Sequence, residues 1–463
     1  MRKKIILGTL LTGLILLGIY LYNLGQRPDR EYPSFTIQPE KKAATVHDSI
    51  PLQDVVLAGN NWDGVITIFD PKTFKIIKKV SAMPDREERF EEIYSGLRSL
   101  ASGFIREYIG EGNDQLVDDM FTSNDGRYIY ASRPSFADVV AIDVNSGQIV
   151  WRTPVEGIRS DHSAISPDGK TFLVSASTAR KVHAIDVSTG EIIGGFESGD
   201  QPHENTYSED GKKIYHASIG KVFFASPNLD FIKGDRWFQI VDANTYEVIR
   251  RVDMKQKLEE AGFDWIDRAV RPMAITKDEK FAYLQISLFH GFFEYDIDND
   301  KITRKLDLPI PKANKSLSPG GHLLSSGHHG ISLSGDDKTI CVAGTMDGYI
   351  AIVDRETFKY STIKLSNDPK EAKPYWATSS KDGTKAYVSI SGLDKVSVVD
   401  YATAQVVAEV PVGNHPQRVR NGQLRWSRRE HKYCNITCFK YLLKSYIISV
   451  KCNINRVKLC NYY

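Results

Sequence analysis

"SPDGKTFLVSASTARKVHAIDVSTGEIIGGF", residues 166–196, contains two kinds of turn and the strands between them. The opening Ser-Pro-Asp-Gly-Lys has the Asp and Gly chemistry of a tight connection between antiparallel strands. "TFLVSA" follows as a short β-branched run, and "KVHAID" is a second one that ends in aspartate at Val-Ser-Thr-Gly before "EIIGGF". With the run that precedes Ser166, this makes four short strands joined by turns.

Both signals recur along the chain. The first appears as "SNDGRY" at Ser123, "SPDGKT" at Ser166, "SEDGKK" at Ser208, "TKDEKF" at Thr276, "SGDDKT" at Ser334 and "SKDGTK" at Ser380. The second is an apolar run ending in Asp70, Asp143, Asp186, Asp242, Asp296, Asp354 or Asp400. Aspartates 125, 168 and 210 of the first signal are 43 and 42 residues apart, and 336 and 382 are 46 apart. Four strands at a period of about 42 residues is the pattern of a β-propeller blade. The wider gaps of 68 and 58 residues hold insertions. The body opens at "DVVLAGNNWDGVITIFD" without a first signal, and "VPVGNHPQRVRNGQL" follows the seventh unit with one more strand and a turn at Asn421-Gly422. The C-terminal strand is therefore expected to complete the N-terminal blade, closing a seven-bladed ring and removing its free edges.

"GDQPHENTYSEDGKKIYHAS" and "PYWATSSKDGTKAYVSISGLDKVSVVDYATAQVVAEVPVGNHP" resemble YVTN-type β-propeller repeats, over about residues 50–425. The resemblance extends to the propellers of the quinoprotein amine dehydrogenase heavy chain and of the haem d1 domain of cytochrome cd1 nitrite reductase. It implies a fold, and leaves open whether the chain binds, catalyses or only builds a structure. The d1 likeness implies a histidine pair over a non-covalent cofactor, through His162, His203 or His329. The dehydrogenase likeness implies a propeller that docks a partner subunit. No C-x-x-C-H is present for covalent c-type haem.

Counting back six and seven residues from each first-signal aspartate, or from Asn421, reaches the start of each inner strand. The pairs are Asp118-Asp119, Asp161-His162, His203-Glu204, Arg271-Pro272, His329-Gly330, Tyr375-Trp376 and Asn414-His415. Inner strands converge on one axis, so these groups are expected to form a polar channel mouth. His162, His203, His329 and His415 are the candidate ligands for a metal ion, which is one alternative to an anionic or oxygenated organic ligand. His328, one residue back, reads as the end of a loop. His183, His216 and His290 receive no role.

Insertions at residues 84–116, 255–270 and 311–328 precede inner strands, and one at 219–236 joins a second strand to a third. All four therefore belong on the face where inner strands begin, the usual binding face of a repeat array. In the first, Phe90, Ile93, Tyr94, Leu97, Leu100, Phe104 and Ile105 recur at helical spacing and predict a packed lid or rim. The second reads as a shorter helix carrying Phe263 and Trp265.

Residues 5–24 form an apolar run behind Arg2, Lys3 and Lys4, long enough for a single membrane-spanning helix. A cleaved signal sequence is the alternative, but no A-x-A-like site follows. The basic cluster places residues 1–29 as cytoplasmic stub and anchor, residues 30–49 as linker and the propeller on the extracytoplasmic side. The net charge of +2 is uneven: the last 37 residues hold eight Lys/Arg and one Glu, leaving a net of −5 elsewhere. Nucleic acid is therefore not an expected partner. Cys341 is the one cysteine of the body. Cys434, Cys438, Cys452 and Cys460 lie in an atypical segment, residues 426–463, that reads as a poorly structured extension or an out-of-frame product. With His431, those cysteines match no regular zinc-finger spacing.

The expected function is thus a membrane-anchored, extracytoplasmic β-propeller that binds a small ligand or protein partner through its loop-rich face and polar channel mouth. The alternatives are a redox or hydrolytic enzyme using the His/Asp ring around a metal or non-covalent cofactor, and a purely structural envelope protein. No catalytic motif of a hydrolase, kinase or dinucleotide enzyme is present.

Overall fold

A computed structural model describes residues 2–35, 37, 50–263 and 267–425, with side chains from Thr12 onward. The chain divides into two units, residues 1–426 and 427–463, of which the second lies outside the described residues together with its cysteines.

The two turn signals set the strand ends through local hydrogen bonds. In the first, the Ser or Thr hydroxyl donates to the turn aspartate and accepts from the backbone five residues on: Ser166 Oγ bonds Asp168 Oδ1 at 2.6 Å and receives Thr171 N at 2.9 Å. In the second, the strand-ending aspartate accepts the next backbone N–H groups, as Asp186 does from Ser188 N and Thr189 N. Such side-chain caps outcompete continuation of the strand, which is why each run stops where its aspartate stands.

Among the described residues, 28 strands form seven four-stranded antiparallel sheets. Blade one has the order β28-β1-β2-β3, with β28 at Pro416–Leu424, β1 at Gln53–Asn60, β2 at Val65–Phe69 and β3 at Ile76–Ser81. The other six blades run consecutively from β4 to β27, with β4 (Met120–Thr122), β8 (Ser160–Ile165), β12 (Pro202–Tyr207), β16 (Val270–Ile275), β20 (Ile331–Leu333) and β24 (Pro374–Ser379) innermost. Contacts pass from blade to blade and return through β24 to β28, closing a seven-bladed propeller. The interleaved faces carry the core. Tyr130, Val139 and Ala141 of blade two pack on Phe172, Val174 and Ile185 of blade three, and Tyr215 and Phe238 of blade four pack on Leu284, Phe293 and Tyr295 of blade five. At about 25 cal/mol per Å² of buried apolar surface, these layers stabilise a body with one cysteine, the buried and free Cys341.

The expected turn at Asn421-Gly422 is absent. Both residues lie inside β28, paired with Val56 and Val55 of β1. The hairpin is unnecessary because the next strand of that blade comes from the other end of the chain.

The first insertion is two helices where the spacing predicts one, α2 (Arg86–Ile93) and α3 (Arg98–Tyr108). The break falls at Gly96, whose φ of +53° suits glycine, and it leaves Leu97 90% exposed. The helix α4 (Met254–Glu260) is capped by Asp253, whose side chain accepts Lys255 N, and it packs Met254 and Leu258 into the core between blades four and five. Phe263 packs near Phe293 at 5.7 Å, and Trp265 lies outside the described residues. A short α5 spans Pro369–Ala372.

At the N-terminus, α1 spans Arg2–Leu24. Among the described residues no helix is long and apolar enough to cross a membrane. The end of α1 is fixed to α3: the Arg106 guanidinium donates to the carbonyls of Leu24 and Gln26 at 3.2 and 2.8 Å. Gly103 permits the approach, since a Cβ there would fall 1.9 Å from the Leu24 oxygen.

Candidate functional site

Where the inner strands begin, their side chains form a buried polar plug across the channel. Asp118, Asp161, His162, His203, Arg271 and Tyr375 line a cavity of about 230 Å³ on the loop-rich side. Glu204 and Trp376 belong to a wider opening on the other side, together with Arg420. His329 stands behind the cavity wall, with its ring 4.3 Å from Tyr375 and its Nε2 3.2 Å from His203 Nε2. Asp119 is fully buried and accepts two hydrogen bonds from Arg420, at 2.8 and 2.7 Å. His415 does not line the cavity: it sits in the loop before β28 at φ +55°, stacked 3.7 Å from Trp62.

Counting back from Asn421 as a turn misaligns the last inner strand. Its true contributions are Gln417, which lines the cavity, the fully buried Arg418, and Arg420 at the wider opening. Arg418 lies 3.8 Å over the Trp376 ring and its Nη2 approaches His162 Nε2. Arg159 also escapes the count, two residues before Asp161. It donates to Asp161 at 2.7 Å and to Gln115 at 2.8 Å.

Electrostatics divides the plug unevenly. Arginine can only donate, so His162 Nε2 accepts from Arg418 and its Nδ1–H donates to Glu204 at 2.7 Å. Burial and the nearby Arg418 hold His162 well below the usual histidine range, and burial with Arg271 does the same to His329. Burial brings His203 down to about 4 although Asp161 opposes the change. Burial pushes Glu204 up to about 8 and Asp118 up to about 7. Asp161 behaves oppositely: burial works against its charge, but Arg159 and His203 hold its carboxyl well below the carboxylate range. The histidines are therefore neutral at pH 7, and four guanidinium groups meet carboxyls of which two resist ionising.

Two of those arginines have unmet donors. Arg271, 1% exposed, donates one bond to Ser326 Oγ at 2.6 Å, and its Nε and Nη1 have no hydrogen-bond partner among the described residues. Arg418, fully buried, has no hydrogen-bond partner for Nε or Nη1 among the described residues, with Asp118 and Asp119 3.7 and 3.9 Å from Nε. A buried unsatisfied charged donor is costly, so a site that keeps two is suited to an acceptor from outside the chain.

The cavity roof is apolar. Ala101, Phe104, Ile105 and Ile109 from the α3 segment meet Ile158, Ile219, Val222, Phe223 and Leu324 over the polar floor. Phe104 sits edge-on to Phe223 at 5.6 Å, and Ile105, Ile109, Ile219 and Val222 form one cluster with Ala269. Three of the four insertions thus converge on this face. Among the described residues, the 255–270 insertion that carries α4 lines no part of the cavity and meets this face through Ala269 of the roof cluster.

His162, His203 and His329 have nitrogens within 4.8 Å of one another and are one candidate metal set. The Asp161 contact on His203 Nδ1, at 3.3 Å, resembles the outer-sphere support of a metal-bound imidazole. Against that stands the guanidinium of Arg418 on the His162 lone pair a cation would need.

No protein-family model matches the chain, and no curated protein matches it. Among solved structures, hydrazine synthase of Kuenenia stuttgartiensis is similar with a TM-score of 0.50 and 17% identity, over 66% of this chain and 95% of that one. At that identity the likeness is one of fold, and it agrees with the seven four-stranded sheets in assigning the chain to the β-propellers.

Proposed function

We propose that the protein is an extracytoplasmic ligand-binding β-propeller, held to a membrane by residues 5–24, that takes a small organic anion with an apolar body into the cavity beneath α3. The observation that carries the reading is Arg271, a buried guanidinium that lines the cavity with two unmatched donors below an apolar roof, backed by Arg418 behind Asp118 and His162 of the same floor. An Arg fork suits a carboxylate in geometry as well as charge. A cavity of about 230 Å³ suits a ligand of modest size. The anchor rests on the apolar run within α1 and the basic residues before it. The metal-centred enzyme reading is weaker, because the positive field that favours an anion opposes a cation at the same three histidines.

The test is thermal unfolding of the full chain with straight-chain carboxylates from propionate to decanoate, with the matching alkylamines as controls. A carboxylate at a hundred times its Kd stabilises by about 2.7 kcal/mol, enough to read as a shift in Tm. The shift should be absent with the amines and lost in Arg271→Met. A protein that ignores every carboxylate in the series refutes the reading.

A further inference from the structure

His328, His290 and Asp347 form a second buried cluster, away from the cavity. His328 ends the insertion at 311–328, His290 lies in the turn between β17 (Phe281–Ile286) and β18 (Gly291–Asp296), and Asp347 lies in the turn between β21 (Thr339–Gly344) and β22 (Tyr349–Asp354). All three are at most 7% exposed, and one donor atom from each lies within 4.8 Å of the others. Asp347 Oδ2 stands 2.6 Å from His290 Nδ1 and 2.8 Å from His328 Nε2, and its Oδ1 accepts Asn314 Nδ2 at 3.2 Å. No arginine or lysine forms an ion pair with Asp347 among the described residues, in contrast to the plug.

The placement of the ring hydrogens points the same way. His322 Nδ1 faces the Ser318 carbonyl at 3.0 Å, an acceptor only, so Nδ1 carries the hydrogen and a neutral His322 has a bare Nε2. If His290 donates its Nδ1–H to Asp347, it too has a bare Nε2. Yet these two Nε2 atoms lie 3.2 Å apart, which sets lone pair against lone pair. A metal on His290 Nδ1 removes the conflict. It moves the hydrogen to Nε2, which then donates to His322 Nε2, giving an unbroken chain from metal through His290 and His322 to Ser318.

We infer that His290, His328 and Asp347 bind one divalent transition metal of the zinc class, with Asn314 and His322 orienting the ligands from outside. Two imidazoles and one carboxylate are a donor set for such an ion. Tetrahedral donors at zinc distances are about 3.3 Å apart, so the ligands need to open by about half an ångström. The ion joins blade five, blade six and the 311–328 segment. That segment also supplies Leu324 to the cavity roof and Ser326 to Arg271, so the metal would order one wall of the cavity.

The test is to strip the full chain with chelator and titrate it with Zn(II) and Co(II). One equivalent should bind, raise Tm, and with cobalt give the visible bands of nitrogen and oxygen ligation. His328→Gln and the isosteric Asp347→Asn should each weaken this binding at least tenfold with an unchanged far-UV circular dichroism spectrum, and His329→Ala should leave it intact. Absence of stoichiometric uptake by the wild type means that a proton on His290 resolves the contact, and overturns the inference. So does an equivalent that survives His328→Gln, is lost in His329→Ala, or shows thiolate-to-cobalt charge transfer.

Discussion

His328 and His329 are neighbours in the chain, yet their imidazoles serve two separate clusters. His328 Nε2 bonds Asp347 at 2.8 Å, whereas His329 Nε2 faces His203 Nε2 at 3.2 Å. Successive side chains of extended backbone point to opposite sides, so one histidine enters the channel plug and the other the space under the loop. The two environments have opposite electrostatic character. Burial, reinforced by Arg271 and Arg418, holds His329 well below the usual histidine range and the arginines favour an anion nearby, while His328 shares with His290 a carboxylate that they hold well below its usual range against the effect of burial.

Arg133 and Asp138 are both fully buried and joined by two hydrogen bonds of 2.7 Å, and Arg133 also reaches Asp85 just before α2. Removing Asp138 leaves the buried Arg133 with Asp85 as its remaining carboxylate partner, so the loss is a part of the cost of a wholly stranded buried charge, about 2 kcal/mol. Asp138→Ala should lower the unfolding free energy by about that amount in urea. Adding Arg133→Met should recover part of the loss, because an apolar side chain needs no counter-ion. If the double variant is less stable than the single one, the pair is not what holds this corner.

Propeller architecture was legible in the sequence because the turns that make it are local. Ser166 with Asp168, and Asp186 with the amides that follow it, are short-range hydrogen bonds repeated in unit after unit. Six of the seven inner-strand starts followed from the same turns. The seventh failed at Asn421, whose pairing with Val56 is a ring-closure contact across the length of the chain. Arg418 and Arg420 were lost with it, although an Arg-x-Arg just after a run aligned with six polar strand starts was a usable signal. The second cluster was invisible for a different reason. His290, His322, His328 and Asp347 come from loops of unequal length, and no period records which loops meet.

Phe104 is 38% exposed and closes the cavity roof against Phe223. Its contribution to binding should depend on the ligand's apolar part alone. Phe104→Ala should weaken binding of decanoate about tenfold, the loss expected when some tens of Å² of apolar contact are removed. Propionate, which meets only the polar floor, should bind as before in calorimetric titrations. Equal losses for both would indicate that α3 positions the floor, and that its aromatic rim is not a contact surface for the ligand.

Glu204 makes the pH dependence of stability testable. Its carboxyl is buried, and burial pushes it up to about 8 from an ordinary value near 4.5. Between those two values the folded chain holds a proton that the unfolded chain has released, so stability falls as pH rises and levels off once the folded group ionises. Below about 4.5 both states are protonated, and the group contributes no slope. The substitution Glu204→Gln keeps an oxygen that accepts the His162 Nδ1–H and has no ionisation to suppress, so it should flatten the profile between about pH 4.5 and 8. Above that range the variant should be the more stable protein by about 1–3 kcal/mol, since one pKa unit is worth about 1.4 kcal/mol and relaxation absorbs part of the shift. Parallel wild-type and variant profiles across the range would show that Glu204 is ionised in the folded chain, and the excess of positive charge inferred for the plug would shrink accordingly.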